Sequence, residues 1–231
     1  MEKVIVDKRI FDNYSNLTIG MVIIKEIDNT RALDLADDFA TMEAYLKQKF
    51  KEVNLASYPV IKDWRDIYKS FGEKKFRASI EALIRRTIND KGLPRINSLV
   101  DLYNLVSLKY EMPVGGENID AMDSDLELTY ATGQEIFIPF ETAKQENPNV
   151  GEIIYKFGNN VICRCFNYRD SELTKLTSET KNAIFFMERL DSNTESLEDA
   201  INELAEVIIE HLGGQVIKKA VFDKNNCVVT L

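Results

Sequence analysis

The sequence predicts an α+β fold in which mixed or antiparallel β-sheets pack against helices. Helix-period and strand-period segments fall in clusters and do not alternate strictly, which argues against a doubly wound parallel sheet. After Gly116 the texture changes from long helical patterns to short apolar runs bounded by turn residues. The 231 residues are 45% hydrophobic and 10% aromatic, enough for a sizeable core. No internal repeat and no Pro, Gly or Ser linker parts the chain into two cores. One unit is predicted, with residues 1–57 as an α/β layer on a larger portion, 58–231.

Residues 3–10 and 18–27 are rich in Val and Ile and read as strands. A helix is predicted over 30–53 from the spacing of Leu35, Phe39, Met42 and Leu46, and Tyr58-Pro59 breaks it. Residues 59–71 form a short helix or turn carrying the only Trp, Trp64. Two helices follow, joined by Gly92-Leu93-Pro94. The first, over 76–88, sets Phe76, Ile80, Leu83, Ile84 and Ile88 on one face. The second, over 96–108, is apolar nearly all round, the mark of a buried helix. Asn97, Asp101 and Asn104 nevertheless recur on it at i, i+4 and i+7. Buried polar groups need partners, so this seam is either satisfied by nearby backbone or lines a site.

Beyond Gly116, two hairpins are predicted, 126–131 with 135–139 across Thr-Gly-Gln, and 152–157 with 161–166 across Gly-Asn-Asn. Residues 183–190 read as a buried strand and 197–212 as an amphipathic helix stopped by Gly213-Gly214. Strands over 215–222 and 227–231 finish the chain.

The formal charge of −9, from 38 acidic and 29 basic residues, argues against broad, sequence-blind nucleic-acid binding. The charge is uneven: Lys74, Lys75, Arg77, Arg85, Arg86, Lys91 and Arg95 meet only Glu81 and Asp90 in their stretch. That is either a solvated helix face or a local basic surface for a polyanion. No apolar run is long enough to span a membrane, and the charged N-terminus lacks the pattern of a secretory signal, so a cytoplasmic location is expected. Three cysteines and one histidine do not supply a convincing zinc set, and no phosphate-binding glycine loop occurs. Neither a metal nor a cofactor is expected. His211, at the end of an acidic helix, reads as structural, which excludes Ser-His-Asp and Cys-His machinery. The carboxylates Asp120, Asp123, Asp125 and Glu127 lack the spacing of a calcium loop. The segment after Cys163 is unusual: Asn167, Arg169, Asp170 and Thr174 crowd donors and acceptors into the exit of a strand, where function concentrates.

The stretch LPRINSLVDLYNLVSLKYEMPVGGENID resembles the opening of the tRNA-editing (B-three/B-four) domain of the phenylalanyl-tRNA synthetase beta subunit. The resemblance continues through LTYATGQEIF and GEIIYKF to TSETKNAIFFMERL, over about residues 71–190. It implies an α+β fold like that domain's and, for a chain without synthetase catalytic parts, a free-standing editing protein. The family's histidine falls on Gly115, its arginine on Pro94, its glutamate on Phe186, with Glu188 two residues on along the same face, and its glycine-rich turn on residues 166–171.

The implied activity is deacylation of misacylated aminoacyl-tRNA in trans, with water attacking the labile ester and no covalent intermediate. Arg169 would contact the oxyanion or a phosphate, Asp170 the water or the α-amino group, and Asn167 would orient the ligand. Gly115, Gly116, Glu117, Thr174 and Glu188 would bind the substrate, with Asn97, Asp101 and Asn104 beneath them. Lys74, Lys75, Arg85, Arg86 and Arg95 would meet the tRNA. The implied partner is the aminoacylated acceptor end of tRNA, not DNA or a membrane. The other reading is a non-catalytic tRNA-binding or amino-acid/metabolite-binding module that has lost the synthetase's editing residues.

Overall fold

A computed structural model describes residues 1–72, 75–191 and 193–231. Strand β1 (Lys3–Val6) leads into a short helix α1 (Lys8–Asn13) and the buried strand β2 (Thr18–Lys25). Helices α2 (Ala36–Lys49), α3 (Pro59–Ser70), α4 (Ser79–Ile88) and α5 (Ser98–Tyr110) follow. Then come strands β3 (Val114–Asn118), β4 (Leu126–Tyr130), β5 (Ile153–Phe157), β6 (Asn160–Arg164), β7 (Arg169–Asp170) and β8 (Ala183–Arg189). Helix α6 (Thr194–Leu212) and strands β9 (Gln215–Phe222) and β10 (Val228–Thr230) complete the order.

These strands form two sheets. The first has the order β10-β1-β4-β5-β6-β7 and is mixed, because β1 and β4 run parallel while its other pairs are antiparallel. The second, β3-β8-β2-β9, is wholly antiparallel. The architecture is therefore α+β with mixed and antiparallel sheets. Residues 1–57 supply an inner strand to each sheet, β1 to the first and β2 to the second. Helix α6 lies close on β2 at Gly20, where a Cβ would stand 2.5 Å from Ile201. Its buried stripe of Leu197, Ile201, Leu204 and Ile208 explains the amphipathic spacing.

Three local departures from the predicted elements have plain causes. Residues 8–10 do not prolong β1, because Asp7 caps α1 by accepting the Arg9 N–H at 2.9 Å. Residues 30–35 lie outside the helix, which starts at Ala36. No hairpin forms across Thr132-Gly133-Gln134. The Glu135 carboxylate accepts the N–H groups of Thr132 and Gly133 at 3.0 Å, folding this turn on itself, and β4 pairs with β5 instead. The hairpin across Gly158-Asn159, by contrast, joins β5 to β6 as its turn chemistry predicts.

Candidate functional site

Residues of both sheets line one small pocket. On β3 and β8, Gly115 lies opposite Phe186, so Gly115 and Glu117 share a face with Phe186 and Glu188. On the first sheet Tyr155, Cys163 and Asp170 form a row, since Cys163 is paired with both of the others. These faces enclose a cavity of about 40 Å³, lined by Gly115, Glu117, Asp170 and Glu188 among others. That is room for one or two waters or a group of similar size. The rings of Tyr155 and Phe186, with centroids 4.9 Å apart, pack against each other in the cavity wall. A larger open groove of about 560 Å³ lies between α2, α5 and α6, but it is mainly apolar and its Lys109 and Glu203 are paired with each other. Convergent polar groups mark the smaller pocket as the candidate site.

Glu188 is its best-defined member. Only 3% exposed, it accepts the Tyr155 hydroxyl at 2.8 Å on one oxygen and the Asn167 amide at 2.5 Å on the other. Asn167 in turn accepts the hydroxyl of buried Tyr68 at 2.8 Å, which fixes its amide orientation. Burial raises the Glu188 pKa to about 7; the two donors oppose this shift and the charge of Asp170 adds to it. Glu117 is buried with Thr174 as its donor, and burial first and Asp170 second push its pKa well above the usual carboxylate range. Asp170 reaches solvent at the pocket, yet the protein crowded around it still raises its pKa, against a hydrogen bond from the Cys163 thiol. Burial, then Asp170, pushes the Cys163 thiol up, so it is no thiolate nucleophile.

The loop that presents Asn167 has an unusual backbone. Cys165 and Phe166 hold φ of +49° and +62°, in the left-handed region that favours glycine. They lie at and beside the start of the segment 166–171 aligned above with a glycine-rich turn. Phe166 is fully buried and packs edge-on against Trp64 and Tyr14, with ring centroids 5.5 and 5.9 Å away, which pins the loop from behind.

Several predicted site residues lie elsewhere. Arg169 adjoins Asp170 on a strand and so points to the opposite face, where it binds Glu146 at 2.9 Å; it does not line the pocket. Gly116 also faces away, and a Cβ there would stand 2.8 Å from Leu176 and Phe185. Thr174 touches the pocket only through Glu117. The polar seam of α5 is absent from the lining. Asn97 caps the helix by accepting Val100 N–H at 3.1 Å and ties down the Leu176 carbonyl at 3.1 Å. Asp101 accepts Arg95 at 3.0 Å and Ile96 N–H at 2.9 Å, and Asn104 is buried on the same helix. Asn97 and Asp101 are thus used in holding local structure, not in lining the pocket.

The basic face is also partly spent. Arg85 binds buried Glu81 at 2.6 Å, Arg95 binds Asp101, and Arg86 donates to the Gly92 carbonyl at 3.2 Å. Lys75 is exposed, and Lys74 lies outside the described residues. Sequence reasoning missed the arrangement around Glu81, where Arg65, Arg77 and Arg85 meet one carboxylate at 2.5, 3.3 and 2.6 Å. Three guanidiniums against one carboxylate leave a local excess of positive charge beside the N-terminus of α4. It also missed Tyr155, Cys163 and Ser79 as pocket lining, and Tyr168, whose ring stacks on Phe76 at 3.6 Å. Among the described residues no group of three or more His, Cys, Asp or Glu is arranged to hold a metal ion. Among those residues, too, no helix is long and apolar enough to cross a membrane.

Comparison with curated proteins gives no match. A solved structure of an N-terminal fragment of the phenylalanyl-tRNA synthetase beta-subunit from Pyrococcus horikoshii is similar, at 14% identity and a TM-score of 0.47. The match covers 94% of this chain and 53% of that one, so the chain spans about half the length of the fragment. Residues 63–213 match the family described as the B3/4 domain, a span that takes in α4, α5, β3 to β8 and the whole pocket. The chain belongs to the B3/4 domain family.

Proposed function

We propose that this chain is a trans-acting aminoacyl-tRNA deacylase that removes a misattached amino acid by water attack. The observation that carries the reading is the pairing of Glu188 and Asp170 around a water-sized cavity bordered by the open backbone of Gly115. Glu188, with a pKa near 7, is a competent general base at neutral pH. Tyr155 and Asn167 hold its two oxygens in place. Water held there attacks the ester carbonyl carbon as Glu188 takes its proton. The carbon–oxygen bond to the ribose then breaks and the proton passes to the leaving oxygen, freeing the amino acid and the tRNA terminus. No nucleophilic side chain is needed, because an aminoacyl ester is intrinsically labile and positioning supplies much of the rate. Tyr168, next in the chain to Asn167, stacks on Phe76 and would offer a platform for the terminal base, and the arginines around Glu81 on α4 would offer charge for its phosphates.

The test is hydrolysis of a panel of correctly charged and mischarged tRNAs by the wild type, Glu188→Gln and Asp170→Asn. Turnover of at least one mischarged species, lost in Glu188→Gln, is the expected result. Background rates across the whole panel would overturn it. Salt-dependent tRNA binding without turnover would select the binding-module reading.

A further inference from the structure

The charge pattern of the pocket permits a statement about how substrate is recognised, one that rests on the deacylase reading. Carboxyl groups converge on the cavity from three different strands, Glu117 from β3, Asp170 from β7 and Glu188 from β8. Among the described residues, no Lys, Arg or His lines it. The neighbouring guanidiniums of Arg164 and Arg169 lie on the other face of the sheet with Glu152 and Glu146. A second observation is independent of the acids. The hydroxyl oxygen of Ser79, at the first turn of α4, is buried in the pocket lining and has no hydrogen-bond partner among the described residues. A buried hydroxyl left without a partner is uncommon and calls for an explanation.

We propose that Glu117, Asp170 and the Ser79 hydroxyl seat the free α-ammonium group of the esterified amino acid, so that the site reads this group and rejects substrates in which it is blocked. Three acceptors match the three N–H donors of an ammonium group. The cavity admits a group of that size and excludes a bulky side chain, so the amino acid's own side chain stays outside this pocket. An anion in the same place would meet three carboxyl groups and, among the described residues of the lining, no compensating cation. Glu188 remains with Tyr155 and Asn167 and is left to the water.

The probes are 3′-deoxy-3′-(alanylamino)adenosine, whose amide resists hydrolysis, and its N-acetyl derivative, titrated by calorimetry into the full chain at pH 8. The amine form is expected to bind at least about tenfold more tightly than the acetylated form. Asp170→Asn and Ser79→Ala are each expected to weaken the amine form by about tenfold while leaving the acetylated form unaffected. Ser79→Ala removes only one oxygen, so it tests the idea even if Asp170→Asn disturbs folding. Equal binding of both probes, or amine binding unchanged in both variants, would overturn the proposal. Discrimination between the probes without turnover of any charged tRNA keeps this proposal and removes the deacylase. Equal hydrolysis of free and N-acetylated aminoacyl-tRNA does the reverse, and neither binding nor turnover removes both.

Discussion

Strand β7 separates two populations of charged side chains. On one face the cross-strand neighbours Arg164 and Arg169 are held by Glu152 and Glu146, so that like charges directly opposite each other are neutralised. On the other face Asp170 sits with Glu117 and Glu188, and the hydrogen bonds these acids receive come from neutral hydroxyl, amide and thiol groups. The first face has the form of a structural ion-pair network. The second keeps two buried acids, Glu117 and Glu188, beside the exposed Asp170, with no cation among the described residues of the pocket lining, an arrangement that costs stability and is found where chemistry needs a shifted proton affinity.

The comparison breaks most visibly on the paired face. Glu152→Ala strips its main partner from Arg164, whose side chain is only 12% exposed, and is expected to cost about 3–5 kcal/mol in urea unfolding. On the unpaired face the sign reverses. The Glu188 pKa rises from 4.5 to about 7 on folding, so the folded state holds the proton more tightly. Its penalty is absent below pH 4.5 and complete above pH 7. Wild-type stability should therefore fall between these values by about 3 kcal/mol from this group alone. Glu188→Gln should flatten that fall and be the more stable protein at pH 8, as thermal melts across the range would show. A wild-type curve as flat as the variant's would sink the assignment.

Adjacent glycines sharpen the same contrast. Gly116→Ala drives a Cβ to 2.8 Å from Leu176 and Phe185 and should cost about 1–3 kcal/mol. Gly115→Ala meets nothing within 4 Å and should change stability by under about 0.5 kcal/mol while narrowing the pocket. Arg169→Ala should also have a small effect. Its partly exposed pair with Glu146 is worth about 1 kcal/mol or less, and, on the proposed function, deacylation by the variant should equal the wild type's.

Much of this was legible beforehand, and the part that was not has a common cause. Helices α3 to α6 follow from apolar period and stop signals, and the β5–β6 hairpin from Gly158-Asn159, because these are local. The proximity of Asn167 and Asp170 is local too, and two-residue alternation puts Glu188 on the face of Phe186. The same alternation, applied to β7, separates Arg169 from Asp170. What no local pattern contains is register: Cys163 and Tyr155 join the pocket through cross-strand pairing, and Ser79 through the docking of α4. The seam on α5 misled for a related reason. Its partners Asn29 and Leu176 are distant in sequence, and only the fold brings them to Asn97.

The interleaving of β2 with β8 bears on what counts as the smallest foldable piece. Family membership is written in residues 63–213, but the strand carrying Glu188 is zipped along its whole length to residues 18–24. The loop bearing Asn167 leans on a ring from Tyr14. A fragment cut to the family boundaries would leave one side of β8 as a raw apolar edge, open to any passing strand. The span that matches the family and the span that packs together thus differ, and the first two dozen residues brace from behind a pocket to which they contribute no lining.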